Sequence, residues 1–383
     1  GPDNPDAALI VDALFGAGLS RPLEGEAARL AETLSRTPTP IVAIDAPSGV
    51  RGDGRAPEGA VFHAGLTVTF CRKKPGHVLE PSRSLCGEIV LADIGLPDEA
   101  VAEIGARAWE NGPALWLDAF PRVTAASHKH SRGRLSVASG GASTSGAARL
   151  AALAGARIGA GYVTLICPPS ALLVNAAHLT AILLKTFDGA DDLAAQGERD
   201  DAFVIGPAFG HTAKTKAAVA ALAKLQKPLV LDADALTIHA DAPEALFAVT
   251  HPRCVLTPHA GEFARLFPDL AAAPLSKIEK ARAAAQRARA IVLFKGADTV
   301  IAAPDGRAAV NVNANPYLAT AGAGDVLAGM IGGLMAQHMA PFEAACAGAW
   351  IHGAAGGAFG PGLIADDLPA LIPGVLRALL AGA

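Results

Sequence analysis

Residues 313–330 read NANPYLATAGAGDVLAGM. Val326, Leu327, Met330, Ile331 and Leu334 recur at helical spacing, which predicts a helix from about Asp325 onward. Ala321-Gly322-Ala323-Gly324 stand directly before it. Glycine permits positive φ and close approach, so successive N–H groups there can converge into an anion-binding nest at the positive end of the helix. Asp325 is expected at the N-cap, where the helix dipole favours its ionised form. A tight turn with a good capping residue would read the same way, and this stretch alone leaves both readings open.

A phosphate in such a nest lies within reach of a carboxylate that can take a proton from an attacking hydroxyl. That is the layout of phosphoryl transfer, where positioning and charge stabilisation carry most of the catalysis. Asp325 then serves the acceptor, not the phosphate. No GxxxxGK[ST] occurs, which excludes a P-loop enzyme, and the lack of a strict GxGxxG disfavours an ordinary dinucleotide-dependent dehydrogenase.

Outward from this stretch, short β-rich runs alternate with Ala-rich helical ones, the pattern of α/β proteins with mainly parallel sheets. ALIVDALFG, PIVAIDAPSG, LTVTF and EIVLADIG read as buried strands in the first part, with a helix over 24–34. RLSVASGG, YVTLICPP, DAFVIGPAFG, PLVLDADAL, CVLTPHAGE and AIVLFKGAD follow in the second, with helices over 147–158, 213–225 and 277–289. TVIAAPDGRAAVNV predicts an antiparallel hairpin at a sheet edge. The pattern breaks over 97–121, where ENGPALWLDAFPR carries turn residues and aromatics expected at the surface. A boundary near Asn111 gives two domains, 1–110 and 111–383, as a chain of 383 residues suggests.

With 51% hydrophobic and 18% charged residues the chain has ample core material. A net charge of −4, with no basic cluster interleaved with aromatics, argues against nucleic-acid binding. No apolar run reaches eighteen residues and no leader peptide is evident, so no membrane partner and a cytoplasmic setting are expected. Five scattered cysteines without a CxxC make disulfide and zinc readings weak.

ATAGAGDVLAG is similar to the anion-hole motif of the ribokinase-like superfamily. LTPHAGEFARL (256–266), LVLDADAL (229–236), FKGADTVI (294–301) and SHKHSRGRLSVASGGASTSGAARLAA (127–152) narrow the resemblance to the ADP-dependent NAD(P)H-hydrate dehydratase family, from about Asn111 to the C-terminus. DALFGAGLSRP (12–22) and IDAPSGV (44–50) resemble the NAD(P)H-hydrate epimerase domain often fused ahead of it. The fold implied is a ribokinase-like α/β domain with a mainly parallel central sheet, preceded by an incomplete Rossmann-like α/β domain. The epimerase motif Asn-Asn-Gly-Gly-Asp lies upstream of the first match and outside this sequence, so impaired epimerisation and an association-prone sheet edge are expected.

The resemblance implies NADH or NADPH hydrated at C6 as substrate, with ADP as phosphoryl donor and AMP and phosphate as products. Asp325 would deprotonate the C6 hydroxyl, and the Ala323 and Gly324 amides would stabilise the moving phosphoryl group. Lys295, Gly296, Ala297, Asp298 and Thr299 would line the nucleotide site; Ala147, Gly206, Gly210 and His259 would contact the hydrated cofactor. GPAFG (206–210) departs from the family's Gly-Pro-Gly-Leu-Gly at its middle residue. Asp232 and Asp234 could help hold Mg²⁺ with the phosphates, or merely cap turns. The His128–His130 pair has no further ligand nearby in sequence and reads as an entry loop. In the first part, Asp12 and Ser48 match a K⁺ site, Asp45 a substrate-contacting and catalytic carboxylate, and Gly16, Ala17, Gly18, Leu19, Ser20, Arg21 and Pro22 a loop beside the substrate phosphates. A homo-oligomer is expected. Two alternatives stay open: a ribokinase-like kinase acting on a vitamin-precursor alcohol, and a non-catalytic first module.

Overall fold

The computed structural model describes residues 7–381. It separates into two compact units, Gly1–Ala108 with Pro274–Lys280, and Trp109–Ala273 with Ala281–Ala383.

In the first unit β1 (Ile10–Asp12), β2 (Ile41–Ile44), β3 (Leu66–Phe70) and β4 (Glu88–Ala92) form a sheet in that order. Every pairing is parallel, with Ile10 opposite Ile41 and Val42 opposite Leu66. The helix Gly25–Leu34 connects β1 to β2. Ala31, Ile41, Ala43 and Phe62 make a small core with Leu23 and Ala64. Because parallel strands point the same way, the loops that follow β1, β2 and β3 gather at one sheet end, where α/β proteins place ligand contacts.

The second sheet has ten strands: β5 (Ala108–Glu110), β6 (Arg134–Ala138), β7 (Tyr162–Cys167), β8 (Leu183–Thr186), β9 (Ala202–Ile205), β10 (Leu229–Leu231), β11 (Cys254–Leu256), β12 (Ile291–Phe294), β13 (Thr299–Ala302) and β14 (Ala308–Asn311). Their order is β5-β14-β13-β12-β11-β10-β9-β6-β7-β8. From β8 to β12 all neighbours are parallel, whereas β12, β13 and β14 pair antiparallel. Every residue of β9 to β14 is buried, so these strands read as continuous apolar runs, as strands covered on both faces do.

The helix Ala323–Ala336 lies across β6, β9 and β10 and against the helix Ser145–Arg157. Its small residues allow that approach: a Cβ on Gly329 would come within 2.0 Å of the Ala151 carbonyl oxygen. The helix is buried on nearly all sides, which explains its apolar composition. Among the described residues no helix is long and apolar enough to cross a membrane, and all five cysteines are free.

Three sequence expectations change. The hairpin β13–β14 is not at the sheet edge, because β5 lies outside β14. The strand β4, read from EIVLADIG as buried, leaves Val90 and Leu91 exposed. Trp116 and Phe120 are 1% and 6% exposed instead of standing at the surface. Two 3₁₀ turns after Gly112-Pro113 fold the aromatics inward, and Trp116 Nε1 donates to Asn111 Oδ1 at 3.2 Å. A buried indole needs such a partner for its N–H.

Candidate active site

Three neighbouring strands end in polar residues that meet. Asp232 follows β10, Thr257 follows β11 and Lys295 follows β12. Thr257 Oγ1 donates to Asp232 Oδ1 at 2.7 Å, and Lys295 Nζ donates to the same oxygen at 2.9 Å. Asp232 is buried and the ammonium mostly so. The carboxylates of Asp232 and Glu262 raise the Lys295 pKa against the opposing effect of burial, so it stays charged.

Above this pair the helix Ala323–Ala336 begins. Gly322 is its N-cap, with φ of 92°, a left-handed conformation that suits glycine. Ala323 and Gly324 are therefore the first two helical residues and Asp325 the third, so the N-cap lies three residues before the position predicted from sequence. A Cβ on Gly324 would lie 3.4 Å from Lys295 Nζ and 3.9 Å from Asp232 Oδ2. The Ala323 N–H donates to the Thr320 carbonyl oxygen at 3.3 Å, so it is the Gly324 end of this turn that shares its space with the cation, as an anion site requires. The expected effect of the dipole on Asp325 is reversed. Burial first, and repulsion from Asp232 second, push its pKa up to about 6 against the pull of Lys295. A carboxyl at that value is matched to base work near neutral pH.

His259 is the N-cap of the helix Ala260–Leu266, and its Nδ1 accepts the N–H groups of Gly261 at 3.0 Å and Glu262 at 3.3 Å. In return Glu262 Oε2 accepts the His259 N–H at 2.8 Å, a reciprocal capping box. Gly206 has φ of 123°, and a Cβ there would collide with the Asp232 carbonyl oxygen at 1.7 Å. Gly210 donates its N–H to Asp234 Oδ2 at 2.8 Å. Between them Ala208 takes φ of 48°, a value glycine adopts more readily, and its carbonyl accepts from Thr144 Oγ1 at 3.0 Å. Ala147 sits in the first turn of the helix Ser145–Arg157, half-buried. Gly296, Ala297, Asp298 and Thr299 form the turn from β12 into β13, closed by a bond from the Gly296 N–H to Thr299 Oγ1 at 3.1 Å. Gly296 and Ala297 are exposed, Asp298 and Thr299 buried.

Asp232 and Asp234 already hold protein partners, and among the described residues no group of three acidic, His or Cys side chains could by itself hold a metal. Any Mg²⁺ here would take most of its ligands from phosphate and water, the usual habit of that ion. His128 and His130 lie in an exposed turn, with the His130 ring stacked on Tyr162 at 6.2 Å.

The first unit gathers a second cluster. Ser48 Oγ donates to Asp12 Oδ1 and Ser48 N to Asp12 Oδ2, both at 2.6 Å, and both residues are buried. Asp45 has φ of 68°. Its Oδ2 accepts the Ala17 N–H at 2.9 Å, within the loop Gly16–Pro22, and a Cβ on Gly16 would lie 2.7 Å from that oxygen. Of that loop, Ala17 is the residue whose amide meets the carboxylate, whereas Gly18 has open space around it.

Lys74 was missed by sequence reasoning. Its Nζ donates to Asp45 Oδ1 at 2.6 Å and to Thr69 Oγ1 at 2.8 Å. Partial burial raises the Asp45 pKa, but the Lys74 and Ala17 bonds outweigh it and hold the value below the ordinary one. His77 braces both partners: its Nε2 lies 2.9 Å from the Asp45 carbonyl oxygen, and its Nδ1 accepts the Lys74 N–H at 3.0 Å. In CRKKPGH the doubled lysine resembles ordinary solvated charge, so only the fold singles out Lys74.

A mainly parallel sheet ending in an anion nest, a lysine and a buried carboxylate defines a ribokinase-like α/β enzyme. A ribokinase-like superfamily protein from Enterococcus faecalis superposes with a TM-score of 0.63 at 22% identity, covering 71% of this chain and 96% of that one. The family model for NAD(P)H-hydrate dehydratase matches residues 135–367, and that for the YjeF-related protein N-terminus matches 2–76. The chain belongs to the bifunctional NAD(P)H-hydrate repair enzymes. It is 37% identical to the one from Moorella thermoacetica, over 97% of this chain and 73% of that protein. Against the one from Escherichia coli it is 36% identical, over 94% and 70%. The ADP/ATP-dependent NAD(P)H-hydrate dehydratase of Bacillus subtilis, co-crystallised with ATP and Mg²⁺, has a TM-score of 0.58 at 28% identity, covering 68% of this chain and 94% of that one.

Proposed function

We propose that residues 111–383 dehydrate the S-epimer of NADH or NADPH hydrate with ADP as phosphoryl donor, and that the epimerase-type domain to which residues 1–110 belong interconverts the two epimers. The observation that carries the reading is the shared space of Gly324, Lys295 and Asp325: anion nest, cation and base at one helix end. Hydroxide is a poor leaving group, so the C6 hydroxyl must first become a phosphate ester. Asp325 accepts its proton as the oxygen attacks the terminal phosphorus of ADP, and AMP leaves. The Gly324 amide and Lys295 offset the charge on the phosphoryl oxygens, and the Ala323 amide joins them if it gives up its bond to the Thr320 carbonyl. The ring nitrogen's electron pair then drives out phosphate, and loss of a C5 proton restores the dihydropyridine. Mg²⁺, when bound with the nucleotide, would neutralise part of the phosphate charge.

In the first unit Asp45 is the group we assign to the hydrated ring. The oxygens of Asp12 and Ser48 are hard donors of the kind that suits K⁺. The dehydratase reading is tested by following the nucleotide. AMP and free phosphate in step with regained reduced cofactor support it; a stable phosphorylated alcohol would mark a small-molecule kinase instead. The epimerase reading is tested with mixed epimers: consumption of the R-form must speed up in proportion to added protein.

A further inference from the structure

The capping box of His259 and Glu262 reaches further than the helix it caps. Glu262 is 4% exposed, and each of its oxygens lies near a candidate-site residue. Oε2, which takes the His259 N–H at 2.8 Å, also lies 4.0 Å from Lys295 Nζ. Oε1 lies 3.6 Å from His259 Nε2. Since His259 Nδ1 accepts two backbone N–H groups, the ring proton belongs on Nε2, the nitrogen beside Glu262. A helix cap needs one oxygen; it does not need a buried charge shared between an imidazole and an ammonium.

Resting on the dehydratase reading, we infer that Glu262 is a positioning residue coupling the two halves of the site. Through the reciprocal cap it holds the backbone of His259, the residue assigned to the hydrated cofactor, while the two backbone N–H groups on Nδ1 set the ring tautomer. With Asp232 it also holds Lys295 against Gly324, where the phosphoryl group moves. The carboxylate itself opposes phosphate binding, so its benefit falls on turnover and not on nucleotide affinity.

The test is Glu262→Gln, which keeps an oxygen for the His259 N–H and removes the charge. We expect kcat to fall on the order of 10- to 100-fold, as a misplaced catalytic contact costs, with ADP binding unchanged or tighter and the thermal midpoint close to that of the unsubstituted chain. In a double-mutant cycle with Lys295→Gln the two losses in kcat should be clearly less than multiplicative, because either change breaks the same link. Full turnover in Glu262→Gln, or strictly multiplicative losses, overturns the inference. If Glu262→Gln does not fold, Glu262→Asp carries the test: it keeps the charge but loses reach, and normal kcat there contradicts the positioning role. Absence of turnover in the unsubstituted chain instead defeats the dehydratase reading, and this inference with it.

Discussion

Lys295 Nζ lies 2.9 Å from Asp232 Oδ1, and the two residues come from strand ends separated by a third strand. Thr257, at the end of that middle strand, donates to the same Asp232 oxygen and completes the row. The sheet thus sets the position of the cation before any ligand arrives.

Lys295→Ala should weaken ADP binding while the hydrated cofactor binds about as before. The loss is one charged hydrogen bond to phosphate, on the order of 1.5–3 kcal/mol, or roughly 10- to 150-fold in Kd. Separate titrations of the two ligands check this, and equal weakening of both would contradict the assignment.

The pH profile should report Asp325. Only its ionised form accepts a proton, and its pKa stands at about 6. The rate at low substrate should therefore rise with pH up to about 6 and then level off. Lys295 lowers that pKa, so Lys295→Ala should move the acidic limb upward. A limb in the ordinary carboxylate range near 4 would remove Asp325 as the titrating base.

Lys74→Met should release the Asp45 carboxyl toward its ordinary pKa, because the lysine is the main group holding it down. A lowered carboxyl stabilises the fold above its ordinary value, and that contribution is lost as pH falls through the folded value. The variant should therefore lose less stability on acidification than the unsubstituted chain. A carbon-13 titration of Asp45 checks the direction; an unchanged value would mean the 2.6 Å bond carries no weight in solution.

Much of this was legible in the sequence because period and punctuation carried it. The strands after which Asp232, Thr257 and Lys295 fall read as apolar runs, and GAGD before an apolar helix marked the helix start that lies beside Lys295. The N-cap was misplaced because Gly322, Gly324 and Asp325 can all begin a helix, and only the φ of 92° at Gly322 decides among them. The upward shift of Asp325 comes first from burial under the packed fold and second from Asp232, a residue 93 positions away in the sequence of 383, so no local window contains it. Lys74 and Glu262 escaped for the same reason. Each is ordinary in its own segment, and each gains its meaning from a partner that the sheet brings near.

The most direct test is absorbance in the reduced-nicotinamide band after mixing the S-hydrate of NADH with ADP and either the unsubstituted chain or Asp325→Asn. The amide keeps the volume but takes no proton at neutral pH, and a general base is typically worth ~10²–10⁴-fold in rate. The account predicts that absorbance returns with the unsubstituted chain, in step with AMP release, and stays near the spontaneous rate with Asp325→Asn even though ADP still binds. Near-normal recovery by the Asn variant would contradict it.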